Sequence, residues 1–258
     1  MRTRTLFTAA LLAALPLTGA LAKDAALAKA VAGEHRSPNL VERDKYRHPQ
    51  EVLEFAGLKP TMTVVEISPG GGYWTEILGP YLKDKGTYYT ATSARAMENW
   101  SKKLADNKAQ WGDVKVTEFG KDQYDIAPAG SADLVITSRN VHNWMGAGFA
   151  DEAFAAFYKA LKPGGTLSVE EHRASADQPQ DPKAANGYVR EDHTIALAQK
   201  AGFKLVGRSE ALANPKDTKD WPKGVWTLPP ILTMGEQDRA KYVAIGEADN
   251  FLLKFQKP

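Results

Sequence analysis

The residues best equipped for chemistry fall in three places. Residues 66–73 read Glu-Ile-Ser-Pro-Gly-Gly-Gly-Tyr, an acid followed by a glycine-rich turn. Residues 138–144 read Ser-Arg-Asn-Val-His-Asn-Trp, and residues 170–173 read Glu-Glu-His-Arg. Glycine admits positive φ and lets another group approach the backbone closely, so Gly70, Gly71 and Gly72 suit a loop laid against a ligand. A helix that starts straight after such a loop aims its free N–H groups at that ligand. An imidazole titrates near neutral pH, which makes His142 and His172 candidate general bases, with Glu171 placed to orient or assist. Imidazoles and carboxylates also suit divalent ions. No compact ligand spacing such as His-Glu-x-x-His occurs, however, and no metal site is expected.

For these residues to act together, the elements between them must carry them to one place. Residues 62–67 are a short, apolar, β-branched run that suits a strand covered on both faces. Trp74, Ile77, Leu78 and Tyr81 then recur at i, i+3, i+4 and i+7, the stripe of a helix packing on a sheet. Further strands are expected over 86–91, 114–119, 132–137, 166–170, 203–206 and 250–257. Helices are expected over 94–108, 149–161, 187–202 and 236–247, with Pro49 opening another that Gly57 stops. This alternation predicts an open α/β sheet, whose ligands bind beyond the carboxyl ends of the strands. The glycine turn, the loop holding His142 and the pair Glu171-His172 all fall at that end.

Which ligand the glycine turn takes depends on its spacing. Gly70 and Gly72 supply the first two glycines of the dinucleotide fingerprint G-x-G-x-x-G, but Thr75 stands where the third belongs, which disfavours a nicotinamide cofactor. The pattern acid-x-G-x-G-x-G fits better, with Glu66, then Ser68 for the first glycine, then Gly70 and Gly72. It resembles motif I of the class I S-adenosylmethionine-dependent methyltransferases. Asp133-Leu134-Val135 and Leu161-Lys162-Pro163-Gly164-Gly165 resemble that family before its fourth and fifth strands. More narrowly, Glu-Ile-x-Pro-Gly-Gly-Gly-Tyr with Thr-Glu-Ile-Leu, and Arg-Asp-x-Tyr-Arg-His-Pro upstream, are similar to the signal-peptide-bearing predicted methyltransferases of proteobacteria.

The resemblance implies a Rossmann-like sandwich: a mostly parallel seven-stranded sheet, helices on both faces and an antiparallel last strand. It implies S-adenosyl-L-methionine as cofactor. Ser68, Pro69, Gly70, Gly71, Gly72 and Tyr73 would underlie its methionine part with Glu66 ordering that loop, Thr92 would meet its ribose and Asp122 or Asp125 its adenine, with Asn140 close to the reactive methyl. The implied reaction is methyl transfer to an oxygen or nitrogen of a small-molecule acceptor, with His142, Glu171 and His172 as the catalytic residues. One departure stands out. Thr92 and Ser93 replace the acid that many members use on the ribose hydroxyls, and uncharged partners make weaker hydrogen bonds. That departure sustains a second reading, an exported methyltransferase-like ligand-binding protein without catalytic activity.

The beginning of the chain reads differently from the rest. Arg2 and Arg4 precede an apolar run over 6–21, and Ala20-Leu21-Ala22 is a small-x-small cleavage site. Residues 1–22 therefore read as a cleavable signal peptide and the protein as periplasmic. The run is short for a membrane span, so no stable membrane anchor is expected. The sequence has no cysteine, which excludes disulfides and thiolate metal sites and avoids mispairing in an oxidising compartment. Without Arg2 and Arg4, the remaining Lys and Arg equal the 31 Asp and Glu, so nothing in the charge balance recruits nucleic acid.

Residues 23–258 suffice for one domain. Within it, 23–60 form an N-terminal helical segment. Its polar and aromatic stretch Arg43-Asp44-Lys45-Tyr46-Arg47-His48-Pro49 reads as a lid over the cofactor pocket. Residues 211–235 read as a Trp-containing loop insertion. Nothing in the sequence specifies the acceptor or the oligomeric state.

Overall fold

Val64 and Val65 are neighbours in one strand, and both are fully buried, in cores on opposite faces of a sheet. Period-two alternation inside a strand covered on both sides accounts for this. The computed structural model describes residues 24–258, and the expected signal peptide lies outside the described residues. Among the described residues, seven strands form one sheet: β1 Thr63–Ile67, β2 Thr87–Thr92, β3 Lys115–Glu118, β4 Ala132–Ser138, β5 Leu161–His172, β6 Lys204–Ser209 and β7 Asn250–Gln256. Their order is β3-β2-β1-β4-β5-β7-β6. Pairing is parallel from β3 across to β5, and β7 runs antiparallel to both β5 and β6. The expected mostly parallel sheet with its antiparallel last strand is therefore present.

The chain steps outward from β1 to β3 and then returns to β4 on the other side of β1. That reversal opens a crevice beyond the carboxyl ends of β1 and β4. On one face Val65, Ile67 and Val135 pack with Phe154 and Phe157 of the helix Ala150–Ala160. On the other, Val64, Leu134 and Ile136 pack with Ile77 and Leu78 of the helix Thr75–Leu82 and with Val52 and Leu53 of the helix Pro49–Ala56. No described helix is long and apolar enough to cross a membrane.

Several expected boundaries move. The turn expected at Lys162-Pro163-Gly164-Gly165 lies inside the span of β5: pairing with β4 jumps from Ala132↔Leu161 to Leu134↔Thr166, so these residues bulge from the strand. The helix expected from 187 starts at Glu191, because Val189 is engaged in a parallel bridge with Arg173 beyond the end of β5. The helix expected over 236–247 shortens to Arg239–Ile245. The insertion is a packed cap and not a free loop. It carries a short 3-10 helix, Gly224–Thr227, and buries Val225 and Leu228 with Tyr188 and Tyr242. Its polar anchor is the buried Asp217, which accepts from Tyr188 Oη (2.8 Å), Trp221 Nε1 (2.6 Å) and the Asp249 N–H (2.8 Å).

Candidate active site

The turn after β1 is held in an unusual backbone state. Ser68, Gly70 and Gly72 have φ of 52°, 56° and 91°. Glycine takes this region freely, but a residue with a Cβ loses roughly 1–2 kcal/mol there. The strain at Ser68 is thus set at the crevice itself, where such strain tends to serve function. The Ser68 N–H donates to the Ala91 carbonyl at 2.8 Å, tying the turn to the end of β2. A Cβ built on Gly70 would meet nothing nearer than the Ser68 carbonyl at 4.0 Å, and one on Gly71 nothing within 4 Å. Space above the glycines is therefore open.

That space is a cavity of about 230 Å³. Of the residues expected around the cofactor, Glu66, Ser68, Pro69, Gly70, Gly71, Tyr73 and Asn140 line it. Gly72 faces the helix Ala94–Asp106 instead, where a Cβ would stand 3.3 Å from both Trp100 and Lys103 Nζ. Thr92 and Asp122 do not line the cavity: Thr92 is buried at the end of β2, and Asp122 is exposed in a tight turn with φ of 67°. Trp144 is a core residue, packed edge-on against Phe119 and Phe157.

Glu66 is buried at the bottom of the crevice, where Thr75 Oγ1 donates to it at 2.6 Å and the Tyr88 hydroxyl donates as well. Burial pushes its carboxyl up to about 7, against the opposing pull of those two hydrogen bonds. Asn140 Nδ2 donates to the Ser138 carbonyl at 3.0 Å and the Ile67 carbonyl at 3.3 Å, which joins the ends of β4 and β1.

The charged stretch at 43–49, expected as a lid, borders the cavity. Leu40, Arg43 and Arg47 line the cavity from the N-terminal segment. Arg47 is buried, stacks 4.2 Å over the Tyr73 ring, and donates to Glu170 at 3.1 Å. Arg43 Nε donates to Glu247 at 2.5 Å. Arg139, with φ of 60°, donates to the same Glu247 carboxylate at 2.6 Å and approaches Glu170 at 3.7 Å. Three guanidiniums thus share two carboxylates at the cavity wall. Burial alone would raise the Glu247 carboxyl, but Arg139 and Arg43 hold it at about 2. Spacing did not single out Arg139 and Trp74 as wall residues. The only signal for Arg139 was its place in the loop after the fourth strand.

The expected catalytic residues also meet, just beyond this wall. The Glu171 carboxylate lies 3.1 Å from His142 Nδ1 and accepts the His142 backbone N–H at 3.1 Å. It also accepts the His172 N–H at 2.7 Å. The His142 and His172 rings are 5.6 Å apart, with Trp226 of the insertion 5.9 Å from His142 and Tyr188 6.4 Å from His172. None of the three contributes to the cavity lining, but Glu171 follows Glu170, which pairs with the wall residues Arg47 and Arg139. Burial pushes the His172 imidazole down to about 3, with Glu171 opposing, so it is neutral throughout the physiological range.

An acid at the end of a central strand, a left-handed glycine turn and a crevice at the β1–β4 reversal describe a nucleotide-type cofactor site on an open α/β sheet. A family model of methyltransferase domains matches residues 40–207. The chain belongs to the methyltransferase-domain family. No curated protein sequence matches it significantly. Solved structures share the fold at low identity. An S-adenosylmethionine-dependent methyltransferase from Aquifex aeolicus aligns at 16% identity and TM-score 0.59, over 86% of this chain and 94% of its own. The cyclase SpnF aligns at 16% identity and TM-score 0.59, over 90% of this chain and 91% of its own. Phosphoethanolamine N-methyltransferase 2 of Haemonchus contortus, in complex with S-adenosyl-L-methionine, aligns at 16% identity and TM-score 0.56, over 83% of this chain and 53% of its own. In this methyltransferase domain, the glycine turn and its crevice occupy the β1–β4 switch point, and Leu40, Arg43 and Arg47 of the N-terminal segment border it.

Proposed function

We propose that this methyltransferase-domain protein binds S-adenosyl-L-methionine in the crevice above Gly70 and transfers its methyl to an oxygen or nitrogen of a small-molecule acceptor. The observation that carries the reading is the cavity wall. Glycine backbone lines one side, and Arg43, Arg47 and Arg139, paired with Glu170 and Glu247, line the other. Guanidiniums at that wall are suited to receive a carboxylate such as that of the cofactor's methionine part. One protein with this fold is a cyclase, so the fold alone does not specify the reaction. The reaction rests on the cluster next to the cavity.

In that cluster Glu171 is ionised: burial alone would raise its carboxyl, but His142 and the hydrogen bonds hold it below the usual range. An ionised carboxylate only accepts, so His142 Nδ1 donates to it and Nε2 is the ring nitrogen left to face the acceptor. In the metal-free protein His142 Nε2 takes the acceptor's proton, and Glu171 orients the ring. His172, pushed down to about 3, is too weak a base for that role, which narrows the expected pair of bases to one. The acceptor's lone pair then attacks the sulfonium methyl in line. A C–O or C–N bond forms, the C–S bond breaks, and its electron pair returns to sulfur as a neutral thioether. Holding the partners at attack distance is worth up to roughly 7–11 kcal/mol, so such a site needs little further machinery. The signal-like residues 1–22 support export to the periplasm, where the protein would act on small molecules.

The decisive experiment is calorimetric titration of the protein with S-adenosylmethionine and S-adenosylhomocysteine, beside Gly70→Val and Gly71→Val. Both side chains would enter open space, and Gly71 is free of positive φ, so at least the second variant keeps its fold. Micromolar binding lost in the variants supports the reading. No binding to the folded wild-type protein overturns it.

A further inference from the structure

His142, Glu171 and His172 come from two separate parts of the chain, yet one ligand atom from each lies within 4.8 Å of the other two. All three are buried, with His172 only 8% exposed. Hydrogen bonding accounts fully for Glu171 and for one nitrogen of His142. It does not account for His172, whose Nδ1 is buried without a hydrogen-bond partner. Asn250 stands directly opposite His172 in the β5–β7 register, and its buried Oδ1 is also without a partner. Asn250 acts on the His172 ring, but the two atoms do not reach full hydrogen-bond geometry, and the ring lies beside a second imidazole and a carboxylate.

We infer that His142, Glu171 and His172 bind a single first-row divalent cation, of the Zn²⁺ or Fe²⁺ class, on the acceptor side of the crevice. Two imidazoles and one carboxylate are borderline donors that select these ions over Mg²⁺ and Ca²⁺, which prefer all-oxygen shells. Three protein ligands leave coordination positions open for water or for an acceptor oxygen. A water on the ion can donate to Asn250, whose carbonyl oxygen then acts as an outer partner of the kind that orients metal sites. The arrangement rests, for its role, on the methyl-transfer reading: an acceptor hydroxyl bound to the ion would ionise more readily, its proton passing to water, and His142 then serves as ligand in place of base. Binding of the ion itself does not depend on that reading. Spacing along the chain concealed the site, because His142 follows β4 while Glu171 and His172 end β5.

The test is metal binding measured apart from turnover. The full chain, stripped with a chelator, is titrated with Zn²⁺ against a chromophoric competitor, then loaded with Co²⁺ for its visible absorption. One ion per chain is expected, with Mg²⁺ and Ca²⁺ failing to compete. His172→Ala should weaken Zn²⁺ by more than about a hundredfold and Asn250→Leu by about tenfold. Equal affinity in wild type and His172→Ala would assign the ion to His35, His48 or His193 and overturn the site. Absence of stoichiometric binding would overturn it as well. If a variant misfolds, anomalous scattering from crystals of the Zn²⁺-loaded wild type decides: density between the three side chains supports the site, and density elsewhere overturns it. Zn²⁺ binding without methyl transfer would leave this site standing and count against the methyl-transfer reading alone.

Discussion

Arg139 Nη1 donates to Glu247 Oε2 at 2.6 Å, and this bond links the carboxyl end of β4 to the segment just before β7. Arg43 of the lid reaches the same carboxylate. Glu247 is thus the point at which the lid, the crevice and the antiparallel edge of the sheet are joined.

This joint should titrate. Glu247 is held at about 2, below its ordinary value of 4.5. A lowered acid stabilises the fold above the unfolded value, and that contribution is lost as pH falls from about 4.5 toward 2. The difference corresponds to about 3 kcal/mol. Urea unfolding of wild type and Glu247→Gln between pH 3 and 7 should show the variant weaker by that order at pH 7, with the gap closing in acid. A gap independent of pH would sink this assignment.

Glu66 should act in the opposite sense. Its folded value of about 7 lies above 4.5, so the folded state keeps a proton that the unfolded chain has released. Stability then declines as pH rises from about 4.5 to about 7 and is flat beyond. Glu66→Gln should match wild type near pH 4.5 and exceed it at pH 8, by up to about 3 kcal/mol. A cation bound nearby favours the ionised form, so S-adenosylmethionine binding near pH 7 should release a proton. Titration in two buffers of different ionisation enthalpy would read that release directly, and equal heats in both would argue against it.

The guanidiniums of the cavity wall make their own prediction. A cofactor analogue lacking the methionine carboxylate should bind about ten- to hundredfold more weakly, the equivalent of roughly 1.5–3 kcal/mol for a charged hydrogen bond. Arg47→Met should erase most of that discrimination, because Arg47 both lines the cavity and stacks on Tyr73. Undiminished discrimination in the variant would place the carboxylate elsewhere.

The insertion should be separable from the sheet. Asp217→Ala strands the Tyr188 hydroxyl, the Trp221 indole and the Asp249 N–H, at a cost of about 3 kcal/mol or more. Hydrogen exchange should rise over residues 214–231 while amides of β1 and β4 stay protected. Since Trp226 lies against His142, the variant should lose acceptor turnover more than cofactor affinity. Uniform deprotection across the whole chain would show that the cap is part of the global fold.

The sequence by itself determined the order and type of nearly every element, because a buried parallel strand, a glycine turn and an amphipathic helix each follow from local chemistry. Val64-Val65 alternate, Gly70 needs its left-handed φ, and Pro49 and Gly57 bracket a helix, all through interactions within a few residues. The same locality made Glu66 and the glycines readable as one wall of a cavity, and the dense polar stretch at 43–49 readable as its lid. Tertiary structure decided what lies across from them. Arg139, Glu170 and Glu247 are far apart along the chain, and only the β4–β5–β7 pairing brings them together. The meeting of His142 with Glu171 and His172 depends on the same pairing, and the β5–β7 register sets Asn250 opposite His172. Long-range register is set by sheet topology and by the summed packing of both faces, which no short window of residues contains.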